Sequence, residues 1–158
     1  MTDQSDPSFL SVEDVVVIHD LQLRRFGGGA GLRDIGMLES AIGRVQSVHA
    51  YDEAADVVRL AATLCHALVA NHPFVDGNKR AAYGAMSTFL AINGLSFKTD
   101  PVDAADRVLA LADGSAGVSD MDDWLRQKVF PDDTYRILVD HDQSAGREPL
   151  GTDGPEGP

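Results

Sequence analysis

Residues 52–93 read DEAADVVRLAATLCHALVANHPFVDGNKRAAYGAMSTFLAIN. From Asp52 to Asn71 the apolar residues recur at helical spacing and cover most of the helix surface, which is typical of a helix buried in a bundle. Pro73 ends this helix, because the residue before a proline disfavours the α conformation. A second helix with a buried apolar face is predicted from Asn78 to Asn93. A short polar loop therefore connects two core helices.

Four further helices are predicted outward from this pair. The first is expected to run from its cap, Ser11, to about residue 25, and a short second one to begin at Asp34. The other two are expected over residues 101–112 and 119–130, the latter capped by Ser119. Because alternation with a period of two is scarce, the predicted fold class is all-α, a helical bundle with the loop between its two central helices.

Composition narrows the class of protein further. The chain has 158 residues, of which 44% are hydrophobic, and a formal net charge of −12. A net negative charge argues against direct nucleic-acid binding, which needs basic patches. Residues 1–10 lack the pattern of a secretory signal, and the apolar run Val57–Ala70 is too short to span a bilayer. We therefore expect a cytoplasmic protein without a membrane segment.

The chain is expected to hold one domain between two polar ends. Residues 1–8 are predicted to be a disordered lead-in, and residues 9–130 to form the domain. Residues 131–158 are acidic and rich in glycine and proline, so a mostly disordered tail is expected there.

The second half of the loop has the features of a phosphate site. Gly77 allows a ligand to approach the backbone closely, and the helix that follows offers unpaired N–H groups and a positive dipole end. Lys79 and Arg80 lie in its first turn, where cations are unfavourable unless an anion neutralises them. Asn78 is a further candidate donor to a phosphate oxygen. These four residues are the predicted nucleotide-binding group.

The first half of the loop supplies candidate groups for catalysis. His72 is a candidate general base, because its ordinary pKa lies near neutrality. Asp76 is a candidate ligand for Mg²⁺, which takes one or two carboxylates together with phosphate oxygens. A zinc site that joins His66 to His72 and Asp76 is the weaker alternative, since a spacing of six residues does not put both histidines on one helix face.

The segment from His72 to Arg80, His-Pro-Phe-Val-Asp-Gly-Asn-Lys-Arg, resembles the signature loop of the Fic/Doc family. Four further blocks resemble the death-on-curing, or Doc-type, toxin branch: Phe26-Gly27-Gly28, Gly31-Leu32-Arg33-Asp34, Leu38-Glu39-Ser40-Ala41 and Phe89-Leu90-Ala91-Ile92-Asn93-Gly94. The resemblance covers roughly residues 9–130. It implies an all-helical fold, with His72, Asp76 and Arg80 as catalytic residues, Asn78, Lys79 and Arg80 as phosphate binders, and Phe74 as a core anchor.

The branch also implies a reaction. Typical Fic proteins transfer AMP from ATP to a target hydroxyl, and they have Gly in place of Lys79 and a second Arg in place of Tyr83. Doc-type proteins resemble this chain at Lys79 and transfer the γ-phosphate of ATP to elongation factor Tu. Gly77 departs from Doc, which has Ala there, so AMP transfer remains the alternative. A catalytically silent binding or regulatory module is a third possibility.

The resemblance further implies a partner that restrains the protein. Doc-type toxins are inhibited by a separate antitoxin, so a Phd-like antitoxin is expected here. The string Thr152-Asp153-Gly154-Pro155-Glu156-Gly157 matches the inhibitory motif of many Fic proteins literally, but Gly154 and Pro155 break helices. The glycine-rich segment 27–31 is expected to be a flexible connector, and no partner is predicted for His19.

Overall fold

A computed structural model describes residues 6–132 of the chain. It contains six helices: α1 (Val12–Phe26), α2 (Ile35–Tyr51), α3 (Val57–Asn71), α4 (Asn78–Ile92), α5 (Pro101–Asp113) and α6 (Val118–Arg126). Two short antiparallel strands, β1 (Leu95–Phe97) and β2 (Val129–Pro131), pair with Ser96 opposite Phe130. The predicted all-α class is confirmed, although this small ribbon was not predicted. Of the expected lead-in over residues 1–8 and the expected tail over residues 131–158, residues 1–5 and 133–158 lie outside the described residues.

Helix α3 is the centre of the bundle. Helices α2, α4, α5 and α6 all pack against it, while α1 packs mainly against α4. Ten α3 side chains are buried: Val58, Leu60, Ala61, Ala62, Thr63, Leu64, Cys65, Ala67, Leu68 and Val69. This burial on nearly every face confirms the expectation from the apolar pattern. None of the helices within residues 6–132 is long and apolar enough to cross a membrane.

Burial has a chemical consequence for the one cysteine of the chain. Cys65 is fully buried in the middle of α3, between its apolar neighbours. The loss of solvent disfavours the charged thiolate and raises the pKa of the Cys65 thiol to about 12. The thiol therefore stays protonated and serves as a small apolar core residue.

Side-chain caps decide where several helices begin. Ser11 and Asp34 cap α1 and α2 as predicted, although α2 is a long helix of 17 residues and not a short one. The predicted start of α3 at Asp52 is wrong, because Asp56 accepts a hydrogen bond from the Arg59 N–H and caps the helix there. Arg126 of α6 binds the same carboxylate through two N–H donors, each 2.8 Å from an Asp56 oxygen, and so connects α6 to the start of α3.

The last predicted helix, residues 119–130, is wrong at both ends. It begins after Gly117, since the Asp120 carboxylate accepts a hydrogen bond from the Gly117 N–H at 2.8 Å, and Ser119 lies inside it. It ends at Arg126, because Val129 and Phe130 pair with β1. The chain thus folds back beside the end of α4.

Close packing brings α1 to the start of α4. Gly84 of α4 has no room for a side chain, since a Cβ atom there would lie 2.9 Å from Ile18 Cγ2 of α1. At the same helix pair, a Cβ atom at Gly77 would lie 3.5 Å from His19 Nε2. Helix α1 therefore forms one wall of the loop between α3 and α4.

Candidate active site

His72 occupies the end of α3 in a left-handed conformation. Its φ is 50° and its ψ is 55°, and among the described residues it is the only one other than glycine with a positive φ. The Arg33 side chain holds this turn, with Nε donating to the His72 carbonyl at 2.8 Å and Nη2 donating to the Asn71 carbonyl at 3.1 Å. The imidazole is exposed to solvent. The backbone is thus fixed while the ring stays accessible.

Phe74 anchors the loop in the core. Its side chain is 1% exposed, so the expected anchoring role is confirmed by burial. His19 of α1, also 1% exposed, stacks on it with the ring centroids 3.8 Å apart and the planes 4° from parallel. His19 Nε2 lies 2.7 Å from the Asp76 carbonyl oxygen, which can only accept, so this nitrogen donates.

His19 is therefore a loop residue that sequence reasoning missed. Its partners lie 55 and 57 residues further along the chain, and nothing in the local pattern of α1 indicates them. The only available signal is a histidine at a buried position of an amphipathic helix, which more often marks an ordinary core residue.

The side chain of Asn78 is committed to the interior of the loop. It is 5% exposed, its oxygen accepts from the Phe74 N–H at 2.9 Å, and its nitrogen donates to the Phe74 carbonyl at 2.9 Å. The prediction that this side chain donates to a phosphate oxygen is corrected, because both amide hydrogens are used within the loop. Its second hydrogen points to His72 Nδ1 at 3.2 Å.

This contact selects a tautomer of His72. The two bonds to Phe74 fix which end of the Asn78 amide carries the hydrogens, so the amide can only donate to His72 Nδ1. In the neutral ring with Nδ1 accepting, the proton resides on Nε2. The other ring nitrogen of His72, Nε2, therefore carries the hydrogen in this arrangement.

Asp76 is exposed and stays ionised. Its Oδ2 accepts from the Gly29 N–H at 3.1 Å and its Oδ1 accepts from the Gly77 N–H at 2.7 Å. These two backbone hydrogen bonds, that from Gly29 foremost, lower the pKa of the Asp76 carboxyl below its ordinary value. Each oxygen keeps a lone pair for a further partner, so the carboxylate fits the role of a Mg²⁺ ligand.

The glycine-rich segment 27–31, which was expected to be a flexible connector, is hydrogen-bonded to the loop between α3 and α4. Val75 donates its N–H to the Gly31 carbonyl at 3.1 Å, and Leu32 forms an isolated antiparallel bridge with Phe74. A Cβ atom at Gly28 would lie 2.9 Å from Asp76 Oδ2, so the chain here approaches the carboxylate closely. The segment therefore runs along the loop and covers one side of it.

The first turn of α4 lacks a side-chain cap. Gly77 precedes it with φ 75° and, as a glycine, offers no side chain to cap the N–H groups of the turn; no acidic residue lies in the turn. By contrast α1, α2, α3 and α5 each have a side-chain cap. Lys79 and Arg80 of this turn are exposed. The unpaired N–H groups and two cations together favour an anion.

Beside this turn lies a cleft of about 650 Å³ between α1, α4 and α5. It is lined by Gln22, Arg25, Phe26, Lys79, Arg80, Tyr83, Thr99, Pro101, Ala104, Ala105, Val108 and Leu109. Arg80 and Arg25 both lie over the Phe26 ring, at 4.8 Å and 5.3 Å from its centroid. The cleft thus combines a cationic end with apolar walls.

The structure divides the predicted site residues between two places. Lys79 and Arg80 line the cleft, and sequence reasoning missed Arg25, which α1 brings to the same end. His72 and Asp76 belong to the loop and do not line the cleft. Within residues 6–132 no three His, Cys, Asp or Glu side chains gather into a metal site, so the alternative zinc site is not formed.

Comparison with known proteins shows the family of the chain. The family model described as "Fic/DOC family" matches residues 9–90. The chain is 37% identical over 118 residues to the protein named "Protein kinase doc" of Escherichia phage P1, which covers 75% of this chain and 93% of that protein. It is 39% identical over 103 residues to "Toxin Doc" of Mycolicibacterium smegmatis (strain ATCC 700084 / mc(2)155), which covers 64% and 77%. The family model covers more than half of the chain, and the phage P1 protein is similar over three quarters of it. The chain therefore belongs to the Fic/Doc family.

Proposed function

We propose that this chain is a Doc-like toxin kinase that acts in the cytoplasm. It transfers the γ-phosphate of ATP to a hydroxyl group of a translation factor of the elongation factor Tu type and so arrests translation. The observation that carries the proposal is the uncapped first turn of α4, with Lys79 and Arg80 in it and His72 on the same loop. Similarity to one relative named as a protein kinase and another named as a toxin supports the assignment as a kinase and as a toxin.

The cleft and the first turn of α4 suit the two ends of a nucleotide. The apolar walls and the Phe26 ring suit the base and sugar, because ligand sites of this size are mostly apolar with few polar groups. The phosphates would extend to the backbone N–H groups at the start of α4 and to Lys79 and Arg80. The two cations would stabilise the charge that spreads over the transferred group.

Mg²⁺ is the expected partner of the triphosphate, and Asp76 would hold it. The carboxylate stays ionised at neutral pH and keeps a lone pair on each oxygen. Mg²⁺ usually takes one or two protein carboxylates and completes its shell with phosphate oxygens and water. When bound, it would offset negative charge on the phosphates.

The chemistry needs a base for the attacking hydroxyl. His72 would take that proton on Nε2 as the hydroxyl oxygen forms its bond to the γ-phosphorus and the bond to the β-phosphate oxygen breaks, leaving ADP. Before this step the single ring hydrogen must move from Nε2 to Nδ1, so the contact from Asn78 to Nδ1 at 3.2 Å has to be released. The ring is exposed, so the proton can exchange through solvent.

A separate Phd-like antitoxin is the expected restraint on this activity. In residues 6–132 the entrance to the cleft shows exposed apolar groups, including Phe26 and Leu109, which a folded antitoxin segment would cover. No direct contact with nucleic acid and no membrane partner is proposed, in keeping with the net charge of −12.

AMP transfer of the Fic type is the second candidate. Gly77 is the residue that favours it by resemblance, but a methyl group there would meet His19 Nε2 at 3.5 Å, an ordinary contact distance. An alanine would therefore fit in space, although the φ of 75° disfavours it. Lys79 and Tyr83 lie in the cleft where AMP-transferring relatives have Gly and Arg, which favours the kinase.

Labelled ATP separates the candidates. Purified protein is incubated with an elongation factor Tu preparation and ATP labelled at either the α or the γ phosphate. We expect label on the target only from the γ position, and none with His72→Ala, whose exposed ring is not part of the core. His49→Ala, a histidine change on α2, is the matched control and should transfer normally. Label from the α position alone would establish AMP transfer, and the absence of any label would favour the silent module.

A further inference from the structure

A second pocket lies on another side of α3 from the cleft. It has a volume of about 490 Å³ between α2, α3 and the start of α6, and it shares no lining residue with the cleft. Its polar lining includes Arg44, Ser47, Tyr51, Arg59 and His66. A volume of this size is within the range of small-molecule sites, roughly 300–1,000 Å³.

The lining of this pocket carries more positive than negative side chains, whereas the chain as a whole is negative. Arg44 and Arg59 face a single lining carboxylate, that of Asp52, whose Oδ1 already accepts the Ala54 N–H at 3.0 Å. The chain as a whole carries −12, so a lining with an excess of positive charge is a local exception. Arg59 is also paired with Asp122, whose Oδ2 lies 3.4 Å from Arg59 Nη1, so the charge of Arg44 is the one without a partner, and it favours an anion.

Both arginines have donors to spare. Among the described residues Arg44 makes no hydrogen bond or ion pair. Arg59 uses only Nη1, which lies 3.2 Å from Ser119 Oγ and 3.4 Å from Asp122 Oδ2, so its Nε and Nη2 remain without a protein partner there. Guanidinium groups with free parallel donors match the oxygen pairs of carboxylates and phosphates.

His66 lies in the same lining, beside Arg44. His66 Nδ1 is shielded from solvent and has no hydrogen-bond partner in residues 6–132. Burial, and next to it the positive charge of Arg44, lower the pKa of His66, so a cation lies near this ring. Because this nitrogen is shielded, a ligand in the pocket would not touch it, but the ring lies close enough to Arg44 to respond to an anion bound there.

The rim of the pocket adds a flat apolar surface. The Tyr51 side chain is 91% exposed at the end of α2, and Val48 and Val118 lie nearby in the lining. An exposed aromatic ring beside cations suits the organic part of a charged ligand.

We propose that this α2–α3 pocket binds the oxyanion of a small organic molecule, a phosphate or carboxylate held by Arg44 and Arg59, with His66 beside them. The site is separate from the proposed transfer reaction and does not depend on it. Phosphate and carboxylate share the chemistry that the two guanidinium groups recognise, and the test below distinguishes them.

The test uses the His66 ring as a reporter in NMR spectra of the full chain. Inorganic phosphate or succinate is added up to about 50 mM at constant ionic strength, with chloride as the reference salt. We expect a saturable shift of the His66 signals with phosphate, with succinate, or with both, and the active anion identifies the ligand class. Arg44→Gln should weaken the effect at least tenfold, whereas Arg24→Gln, the same change on α1, should not.

Two results overturn the proposal. One is the absence of any saturable shift with either anion. The other is an equal shift in the Arg44→Gln protein, which would mean that ions act on His66 without this site. Arg44 is exposed, so the variant is expected to fold, and unchanged signals from the rest of the protein verify it.

Discussion

His19→Phe tests whether α1 holds the loop by a hydrogen bond. The change keeps an aromatic ring of similar size, so the stack on Phe74, with centroids 3.8 Å apart, is retained. It removes the Nε2 donor that lies 2.7 Å from the Asp76 carbonyl oxygen. The variant therefore removes the donor and keeps an aromatic ring on Phe74, although the ring must move slightly because a C–H group does not fit 2.7 Å from an oxygen.

The expected loss of stability follows from that contact. A partly buried carbonyl oxygen left without its donor costs about 1–3 kcal/mol. Phenylalanine is more apolar than histidine, and this offsets the cost by less than about 1 kcal/mol. We expect a net decrease of about 1–2 kcal/mol in the free energy of unfolding, which lowers the Tm by roughly 3–6 °C.

The effect on transfer should be larger than the effect on stability. Without the donor the backbone at Asp76 can shift, and a displacement of the site by about 1 Å can lower a rate by roughly 10²-fold. Urea unfolding measures the first quantity, and transfer from labelled ATP measures the second.

The control is His49→Phe on α2. The ring centroids of His49 and Phe9 lie 5.6 Å apart, and His49 has no contact with the loop. It should leave transfer unchanged. If His19→Phe unfolds with the wild-type free energy and transfers phosphate at the wild-type rate, the hydrogen bond from α1 does not hold the loop. Unfolding can be judged even if the proposed reaction is wrong.

Gly28→Ala and Asp56→Asn probe the loop and the helix cap, and Gly43→Ala is the control for the first of them. Gly28→Ala places a methyl group 2.9 Å from Asp76 Oδ2 at a φ of 125°, so we expect lower stability and at least tenfold weaker Mg²⁺-dependent transfer. Gly43→Ala inside α2 meets no atom within 4 Å and should raise stability by up to about 1 kcal/mol. Asp56→Asn keeps the cap but removes the charge that binds Arg126. Because the hydrogen bond from Arg126 lowers the pKa of Asp56 in the folded state, the stability from this charge is present at neutral pH and lost as pH falls through that lowered pKa. Since both groups are about half exposed, we expect Asp56→Asn to cost about 1 kcal/mol at pH 7 and progressively less as the pH falls through the lowered pKa of Asp56, as measured by urea unfolding; a cost that does not decrease with falling pH would contradict this.

The two central helices and their loop were predictable because their signals are local. Helix α3 is apolar around its circumference, Pro73 ends it, and the loop residues follow one another in the chain. The ribbon was not predictable, because strands of three residues are too short to show an alternating pattern. The early start predicted for α3 failed because Asp56, and not an upstream residue, accepts the capping hydrogen bond.

The candidate site was predictable only where its residues are contiguous. The exposed residues of the loop were found by their chemistry, but the roles of His19 and Arg33 depend on backbone atoms 38 to 57 positions away. For Asn78 the sequence indicated a residue of the loop but not the direction of its side chain, which points into the loop and bonds to the Phe74 backbone. Side-chain direction in a buried loop is set by which backbone groups need partners, and those are known only once the chain has folded.

The thiol of Cys65, the one cysteine of the chain, can report how often the core opens. Alkylating reagents react with thiolates, and this group is both enclosed in α3 and held in its protonated form, so labelling must wait until the core opens. The same helix ends at His72. The rate of modification, followed by mass spectrometry, will therefore time how often the support of the candidate active site comes apart, and how far a bound nucleotide or partner slows that event.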